Sequence, residues 1–407
     1  MQVFHAPIEI AGQMGLLAKG LRALGHQVSA YNTEQNYLGY EQDITNVSAD
    51  ELKSIYTQTK SNYDLFHYHY GLGCTGEEEE WRDLRALGKT VLMHYWGNDV
   101  RTEQKAILYN PYARLIGQFL DQEFVHSRLA VQSESIPACI VQDFEMVPYV
   151  EPYYQRVYVL PIAIDLAGTI PKYPDRHTRV PLLVHAPTHP YFKGTTYIEE
   201  TLDRLRQDGY RFRYIKIQGE PHAQVMRMYA QADLIIDQVL CGTYGLFSVE
   251  GMALGKPVVA YIREDLKSRF DADLPIVPAN PAILYTTLRH LLDQPRSWAA
   301  IGIQGRKYVE THHSLTVVVS ALEKIYERER LLQSEPGRRQ GTEVIQMIGA
   351  ANLPYTKQKA STGHVRIFLQ TPRDVNMTRK KTFKHRPVKR VGHADIGRQR
   401  AVRKIQK

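Results

Sequence analysis

Residues 240–259, with the sequence LCGTYGLFSVEGMALGKPVV, decide how the second half of this chain folds. The apolar run at 233–237 predicts a strand, the glycines after it predict a tight turn, and residues 246–254 predict a helix. A junction of this kind leaves free backbone N–H groups at the helix start, which attract a phosphate. Glu250 lies about one turn into the helix, where its carboxylate could accept hydrogen bonds from a ribose. A tight connection whose glutamate only stabilises the positive helix end explains the pattern equally well.

A second strand-to-helix junction occupies residues 184–196, VHAPTHPYFKGTT. Thr196 and Glu199 have the spacing of a capping box, which predicts a helix start with Lys193 just outside it. An ammonium beside a helix N-terminus is suited to neutralising a diphosphate. For a single lysine, a solvated surface position is the more common role.

Strands and helices alternate on both sides of these junctions. In the first half, strands are predicted at 3–5, 64–69, 90–94, 129–132 and 157–160, separated by helix-length segments. In the second half, strands are predicted at 182–185, 211–217, 233–237 and 257–261, with helices at 196–207, 222–231, 246–254, 281–294, 296–312 and 315–331. The alternation predicts an α/β protein with two parallel sheets covered by helices. A Pro- and charge-rich stretch at 170–181 divides the chain into domains 1–170 and 171–331, followed by a tail, 332–407.

The charges of the chain are unevenly distributed. Its net charge is +8, but residues 331–407 contain 18 Lys and Arg against 4 Asp and Glu, and residues 1–330 contain 33 against 39. The hydrophobic content is 43%, and no apolar run reaches the roughly 18 residues that span a bilayer. The three cysteines are far apart, and the N-terminus shows no secretory signal pattern. We therefore expect a cytoplasmic protein.

The tail contains a basic run at 379–390, RKKTFKHRPVKR, with seven Lys or Arg residues. Such a run binds polyanions or lies against anionic lipid, which would place the protein at the inner face of the membrane. We expect the tail to be disordered, and the alternative to these partners is a solvated tail that binds none. The body is acidic and lacks a nucleic-acid-binding motif, so we expect no specific nucleic acid partner.

The two junctions together, HAPTHPYFKGTTYI and YGLFSVEGMALGKPVV, resemble the donor-binding half of GT-B glycosyltransferases of the group-1, family 4-like type. The resemblance covers roughly residues 1–330 and implies two Rossmann-like, doubly wound domains facing a cleft. It implies that Lys193 contacts the diphosphate of a nucleotide-sugar donor and that Glu250 binds its ribose. The full set of donor-binding residues that we predict is Lys193, Glu250, Tyr244, Gly245, Leu246, Phe247, Ser248, Gly12 and Gly15.

The first domain contributes further candidate residues. Gly12 and Gly15 resemble the glycine-containing first turn of the family, although a routine helix start is equally compatible with them. Residues 91–101, VLMHYWGNDVR, resemble the family's HGSD loop, which implies that Asp99 and His94 are the catalytic residues near the sugar. His67 and His69 share one face of a strand and could bind a metal or form hydrogen bonds. The family resemblance implies no metal, and we expect no cofactor beyond the donor substrate.

Two positions depart from the family pattern. The first glutamate of the family's E-x7-E motif would stand at position 242, where this chain has Gly242, and an arginine is usual where it has Pro187. Our main hypothesis is a retaining glycosyltransferase that takes a sugar from a UDP-linked donor and transfers it to a cell-surface or envelope glycan. The acceptor would be a glycan or a lipid- or protein-linked molecule. The alternative is a catalytically silent nucleotide-sugar-binding or structural protein that the basic tail tethers to an anionic assembly.

Overall fold

The computed structural model describes residues 1–117, 119–334 and 342–348. Within these residues the chain forms two parallel β-sheets, one of eight strands and one of five. The first sheet consists of β1 (Gln2–Ala6), β2 (Gln27–Asn32), β3 (Thr45–Asn46), β4 (Leu65–His69), β5 (Thr90–Tyr95), β6 (Ala138–Val141), β7 (Arg156–Val159) and β13 (Glu343–Gln346). The second consists of β8 (Leu182–His185), β9 (Arg213–Lys216), β10 (Leu234–Ile236), β11 (Val258–Ala260) and β12 (Val277–Pro278). The predicted α/β fold is confirmed.

The helices connect successive strands in both halves of the chain. The first part contains α1 (Gln13–Ala23), α2 (Ala49–Thr59), α3 (Glu79–Ala86), α4 (Glu103–Ala106), α5 (Ala113–Ile116), α6 (Gln122–Ser135) and α7 (Val147–Val150). The second part contains α8 (Pro190–Lys193), α9 (Thr195–Gln207), α10 (His222–Gln231), α11 (Leu246–Ala253), α12 (Glu264–Lys267), α13 (Leu284–Asp293), α14 (Trp298–His312) and α15 (Leu315–Ser334).

The strand orders locate the crevices of both sheets. The first sheet runs β3-β2-β1-β4-β5-β6-β7-β13 and the second runs β9-β8-β10-β11-β12. Both are doubly wound orders, in which the chain reverses direction across the sheet at one point. Ligands of such sheets bind outside the carboxyl ends of the strands at that point. The crevice of the first sheet therefore lies beyond β1 and β4, and that of the second lies beyond β8 and β10.

The last long helix packs on the first sheet. Val318 and Leu322 of α15 are buried in one apolar cluster with Val3 and Leu65 of the first sheet. The sequence analysis grouped residues 315–331 with the second domain. Apolar periodicity shows that a helix buries one face, but it does not show which sheet that face contacts. The exact domain limits stay a prediction.

Three local predictions need correction. The strand predicted at 129–132 is wrong, because these residues belong to α6, which buries Val125, Leu129 and Gln132 along one face. The capping box predicted at Thr196 is also wrong, because α9 follows Gly194, and no side chain caps it. The predicted tail contains strand β13, which pairs in parallel with β7. The basic run at 379–390 and its predicted disorder lie outside the described residues.

Candidate functional site

Lys193 lies at the carboxyl side of β8, in the crevice of the second sheet. It ends the short helix α8, and Gly194 follows with a φ of +78°. A β-carbon on Gly194 would lie 2.6 Å from a side-chain methyl of Val239, so only glycine fits this turn without a shift. The turn directs the Lys193 ammonium towards the end of β10, where it donates to Asp237 Oδ1 (2.7 Å) and Gln238 Oε1 (2.8 Å).

Asp237 joins Lys193 to the following helix. Its second oxygen accepts a hydrogen bond of 2.6 Å from Ser248 in the first turn of α11, and its side chain is fully buried. Burial works to raise the pKa of Asp237, but the Lys193 charge and the hydrogen bonds from Lys193 and Ser248 outweigh it and hold the pKa below its ordinary value. Asp237 therefore forms a buried ion pair with Lys193.

The start of α11 lies next to this ion pair. Gly245 is the N-cap residue and has no capping side chain. A β-carbon built on Gly245 would be 3.6 Å from Lys193 Nζ, so the ammonium and the helix start are neighbours. The first N–H groups of a helix have no partner within it. The positive end of α11 and the charge of Lys193 therefore act on the same volume of space.

Glu250 lines a pocket beside these groups, which we call the Glu250 pocket. It has about 730 Å³ of empty space, part of which is open solvent. Four of the predicted donor-binding residues line it, namely Lys193, Leu246, Phe247 and Glu250. Pro187, which stands where an arginine is usual, lines it as well.

His222 and Tyr40 also line the Glu250 pocket, and neither was predicted from the sequence. His222, the first residue of α10, places Nε2 2.5 Å from the Glu250 carboxylate. Tyr40 lies in the loop between β2 and β3, and its ring centroid is 4.6 Å from that of the His222 ring. Burial and the nearby Glu250 and Glu9 carboxylates raise the pKa of Tyr40. Neither residue belongs to a spaced motif, because each reaches the pocket from a separate segment.

Other predicted donor-binding residues lie outside the lining. Ser248 is buried, and its hydroxyl donates to Asp237. The Tyr244 hydroxyl lies 3.0 Å from Nε2 of His313 and lines a different cavity, which contains Asp143. Its donor-binding role stays a prediction.

Gly12 and Gly15 serve contacts within the first domain. Gly12 has a φ of +79°, and a β-carbon there would be 2.8 Å from the Tyr40 ring. The N–H of Gly15 donates to the Glu9 carboxylate at 2.8 Å, and that of Met14 does so at 3.2 Å. Burial raises the pKa of Glu9 to about 7 against these hydrogen bonds. The start of α1 thus holds a side chain of the protein itself.

Of the two predicted catalytic residues, His94 lies near the end of β5 and Asp99 lies just beyond the strand, and both are buried. The Asp99 carboxylate accepts the N–H groups of Trp96 (3.0 Å) and Gly97 (2.6 Å), which closes the turn after the strand. Burial raises the pKa of Asp99, and these two hydrogen bonds oppose the shift. The His94 ring stacks on Trp96 with 3.9 Å between ring centroids. Neither Asp99 nor His94 lines the Glu250 pocket, and their catalytic roles stay predictions.

Position 242 could not accept a glutamate without a rearrangement. Gly242 has a φ of +93°, and a β-carbon there would clash with the side chain of Arg263. Arg263 is buried and paired with Asp265 at 2.8 Å. Its other neighbour is Glu145, at 3.9 Å, which also pairs with Arg101 at 2.7 Å. The departure from the family pattern is therefore matched by the packing around it.

Solved structures with a similar fold were found, whereas no family model and no curated protein matches the sequence. HepE of Anabaena, in complex with UDP-glucose, has a TM-score of 0.56 at 10% identity, over 81% of this chain and 100% of that one. Sucrose-phosphate synthase from Thermosynechococcus elongatus has a TM-score of 0.53 at 15% identity, over 81% and 98%. An alpha-glucosyltransferase in complex with UDP-glucose and DNA has a TM-score of 0.51 at 8% identity, over 81% and 98%. The chain therefore has the two-domain GT-B fold of these glycosyltransferases.

Proposed function

We propose that this protein is a glycosyltransferase that transfers a sugar from a nucleoside-diphosphate sugar, UDP-linked, to an acceptor. The observation that carries the proposal is one pocket in which Lys193, the start of α11 and Glu250 lie together. A diphosphate leaving group develops negative charge, and a fixed ammonium with helix N–H groups stabilises such charge. Similar structures that hold UDP-glucose support the choice of UDP.

The roles of the pocket residues follow from their positions. Lys193 and the N–H groups from Gly245 to Ser248 would bind the diphosphate. Glu250 would accept hydrogen bonds from the ribose hydroxyls, in exchange for its present contact with His222. Asp99 and His94 would lie near the reacting sugar, by the family resemblance. Retention of anomeric configuration and independence from metal and cofactor are part of the same proposal.

The acceptor and location are proposed on other grounds. We propose a cell-surface or envelope glycan, or a lipid- or protein-linked precursor, as acceptor, and a cytoplasmic location at the inner face of the membrane. None of the described helices combines the length and apolar character needed to cross a bilayer. Attachment would rest on the basic run at 379–390, which lies outside the described residues. We propose no specific nucleic acid partner.

A donor panel tests the proposal directly. Purified protein is incubated with UDP-, GDP- and ADP-sugars and candidate acceptors, and both binding and release of nucleoside diphosphate are measured. DNA belongs among the acceptors, because several similar structures contain it. We expect Glu250→Gln to abolish binding of one UDP-sugar. Glu264→Gln is the matched control, since the Glu264 side chain is 86% exposed on α12. Failure of every donor to bind would refute the assignment.

The silent alternative has two observations in its favour. Arg263 fills the space beside Gly242, and backbone N–H groups occupy the Asp99 carboxylate. A protein of this kind would bind the donor and release no nucleoside diphosphate with any acceptor, including glycans and lipid-linked sugars. The same panel distinguishes the two functions, because it measures binding and release separately.

A further inference from the structure

The first sheet contains a buried cluster of histidines at its carboxyl edge. The cluster consists of His5 on β1, His67 and His69 on β4, and His94 on β5. The strand register pairs His5 with His67, and His69 with His94. Because side chains alternate along a strand, all four rings lie on one face. Trp96, which directly follows β5, and Tyr326 from α15 complete the cluster.

The hydrogen bond from Trp96 to His69 fixes the donor-to-acceptor direction of the other hydrogen bonds in the cluster. Trp96 Nε1 lies 3.3 Å from His69 Nδ1, and an indole N–H can only donate. His69 Nδ1 must therefore accept, which leaves the proton of a neutral ring on Nε2. That nitrogen is 3.0 Å from His5 Nδ1, so His69 donates to His5.

The same reasoning continues through the other rings. His5 then carries its proton on Nε2, which lies 3.2 Å from the Tyr326 hydroxyl. The hydroxyl hydrogen points to His67 Nδ1, 2.6 Å away. His67 in turn donates from Nε2 to His94 Nδ1 at 3.2 Å. This series of hydrogen bonds ends at the Nε2–H of His94, a buried donor without a hydrogen-bond partner among the described residues.

Burial keeps the rings neutral. It lowers the pKa of His5 to about 3 and lowers those of His67, His69 and His94 well below the ordinary value. Each ring therefore has one donor and one acceptor nitrogen, and the direction set at Trp96 reaches His94 without interruption.

A metal ion is the competing explanation of the cluster. His5, His67 and His69 offer ring nitrogens within 4.8 Å of one another. A metal-bound imidazole donates its remaining N–H to a neighbour. The free nitrogen of His69 instead accepts the indole N–H, so the nitrogen facing His5 carries a proton. The hydrogen bond from Trp96 and a metal at His69 Nε2 exclude each other.

We propose that Trp96 is a positioning residue that fixes His94 as a neutral imidazole with its proton on Nε2, ready to donate a hydrogen bond to an oxygen of a bound sugar. The sugar part of this inference rests on the proposed function. In this state His94 cannot take a proton at Nε2, so it binds an oxygen instead of acting as a general base. Its stacking on Trp96 keeps the His94 ring in the orientation that the hydrogen bond from His67 requires.

Nitrogen NMR of the protein labelled with ¹⁵N-histidine tests the assignment without any need for turnover. At neutral pH the protonated and unprotonated ring nitrogens have separate resonances. We expect all four rings of the cluster to carry the proton on Nε2. A proton on Nδ1 of any of them overturns the proposal. A metal-shifted resonance of one of these four rings after addition of Zn²⁺ to the wild type overturns it as well.

Two variants test the role of Trp96. In Trp96→Phe the direction is no longer imposed, so resonances of Nδ1–H tautomers should appear within the cluster. Trp298→Phe is the matched control, because the Trp298 indole donates to Leu291 O in the second domain, and it should leave the cluster unchanged. Unchanged tautomers in a folded Trp96→Phe protein would refute the positioning role.

Addition of UDP-glucose to the wild type separates this proposal from the proposed function. A shift of the His94 Nε2–H resonance on binding supports a hydrogen bond to the sugar, and binding without any shift refutes that bond. No binding at all would count against the proposed function and against the sugar contact. The tautomers of the ligand-free protein would still decide the role of Trp96.

Discussion

Replacement of Lys193 by methionine should lower the free energy of unfolding by about 3–5 kcal/mol at neutral pH, the usual cost of breaking a buried ion pair. The Lys193 side chain is 13% exposed, and that of Asp237 is not exposed at all. The variant keeps the apolar part of the lysine chain but leaves the carboxylate with the hydroxyl of Ser248 as its charge-stabilising partner. The loss should therefore come from the unpaired charge and much less from packing.

The pH dependence of this loss identifies its cause. In the wild type the pKa of Asp237 is below its ordinary value, so the pair stabilises the fold above about pH 3.9 and less as the pH falls through the folded-state pKa. In Lys193→Met, burial dominates and raises the pKa of Asp237, so the fold loses stability as the pH rises above about 4. The difference between the two proteins should shrink by about 1.4 kcal/mol for each pH unit below that raised pKa.

Urea unfolding followed by circular dichroism at pH 7 and pH 5 measures both quantities. Asp237→Asn in the Lys193→Met background removes the unpaired charge and should recover much of the loss. Lys267→Met is the control, because Lys267 is 51% exposed and pairs with Glu264 on the surface, where a pair contributes about 0–1 kcal/mol. An equal loss at both pH values, or a double variant no more stable than Lys193→Met, would refute the buried-pair explanation.

Three further predictions concern backbone and burial. Gly12→Ala should lower the unfolding free energy by more than the about 1–2 kcal/mol expected for left-handed backbone alone, because its β-carbon meets an aromatic ring 2.8 Å away. Gly25→Ala, with a φ of +88° and no atom within 4 Å, isolates the backbone cost, and equal losses in urea unfolding would contradict the contact. Gly242→Glu should destabilise the protein by about 1–3 kcal/mol and not gain donor affinity, since it must displace Arg263; calorimetry with a UDP-sugar would disprove this by showing tighter binding. Burial lowers the pKa of His185 to about 4, so the ring is neutral in the folded protein at neutral pH. The free energy of unfolding should therefore fall as the pH drops from about 6.5 to 4, by up to about 1.4 kcal/mol per pH unit. His185→Gln should flatten that part of the pH profile measured by urea unfolding, and an unchanged slope would contradict the prediction.

The sequence predicted the fold well where local patterns were strong. The strands at 182–185 and 233–237 and the helix at 246–254 were placed to within a residue or two, because apolar runs and glycine turns mark them locally. The error at 129–132 arose where a short apolar run within α6 has the appearance of a strand. A helix and a strand can share such a run, and length alone separates them.

The candidate site was only partly predictable. Lys193 and Glu250 stood out because both belong to strand-to-helix junctions, and parallel strands bring those junctions to one edge of the sheet. His222 and Tyr40 come from segments without a recognisable pattern, and they reach Glu250 only after the chain has folded.

The sequence by itself determined the two α/β units, most of their strands and helices, and the two junctions that carry Lys193 and Glu250. Only the tertiary structure decided that Asp237 pairs with Lys193, that Arg263 fills the space beside Gly242, and that α15 packs on the first sheet. The physical reason is the range of the interactions. Periodicity and turn chemistry act between residues a few positions apart, whereas these contacts join distant segments whose distances are set by strand order and core packing.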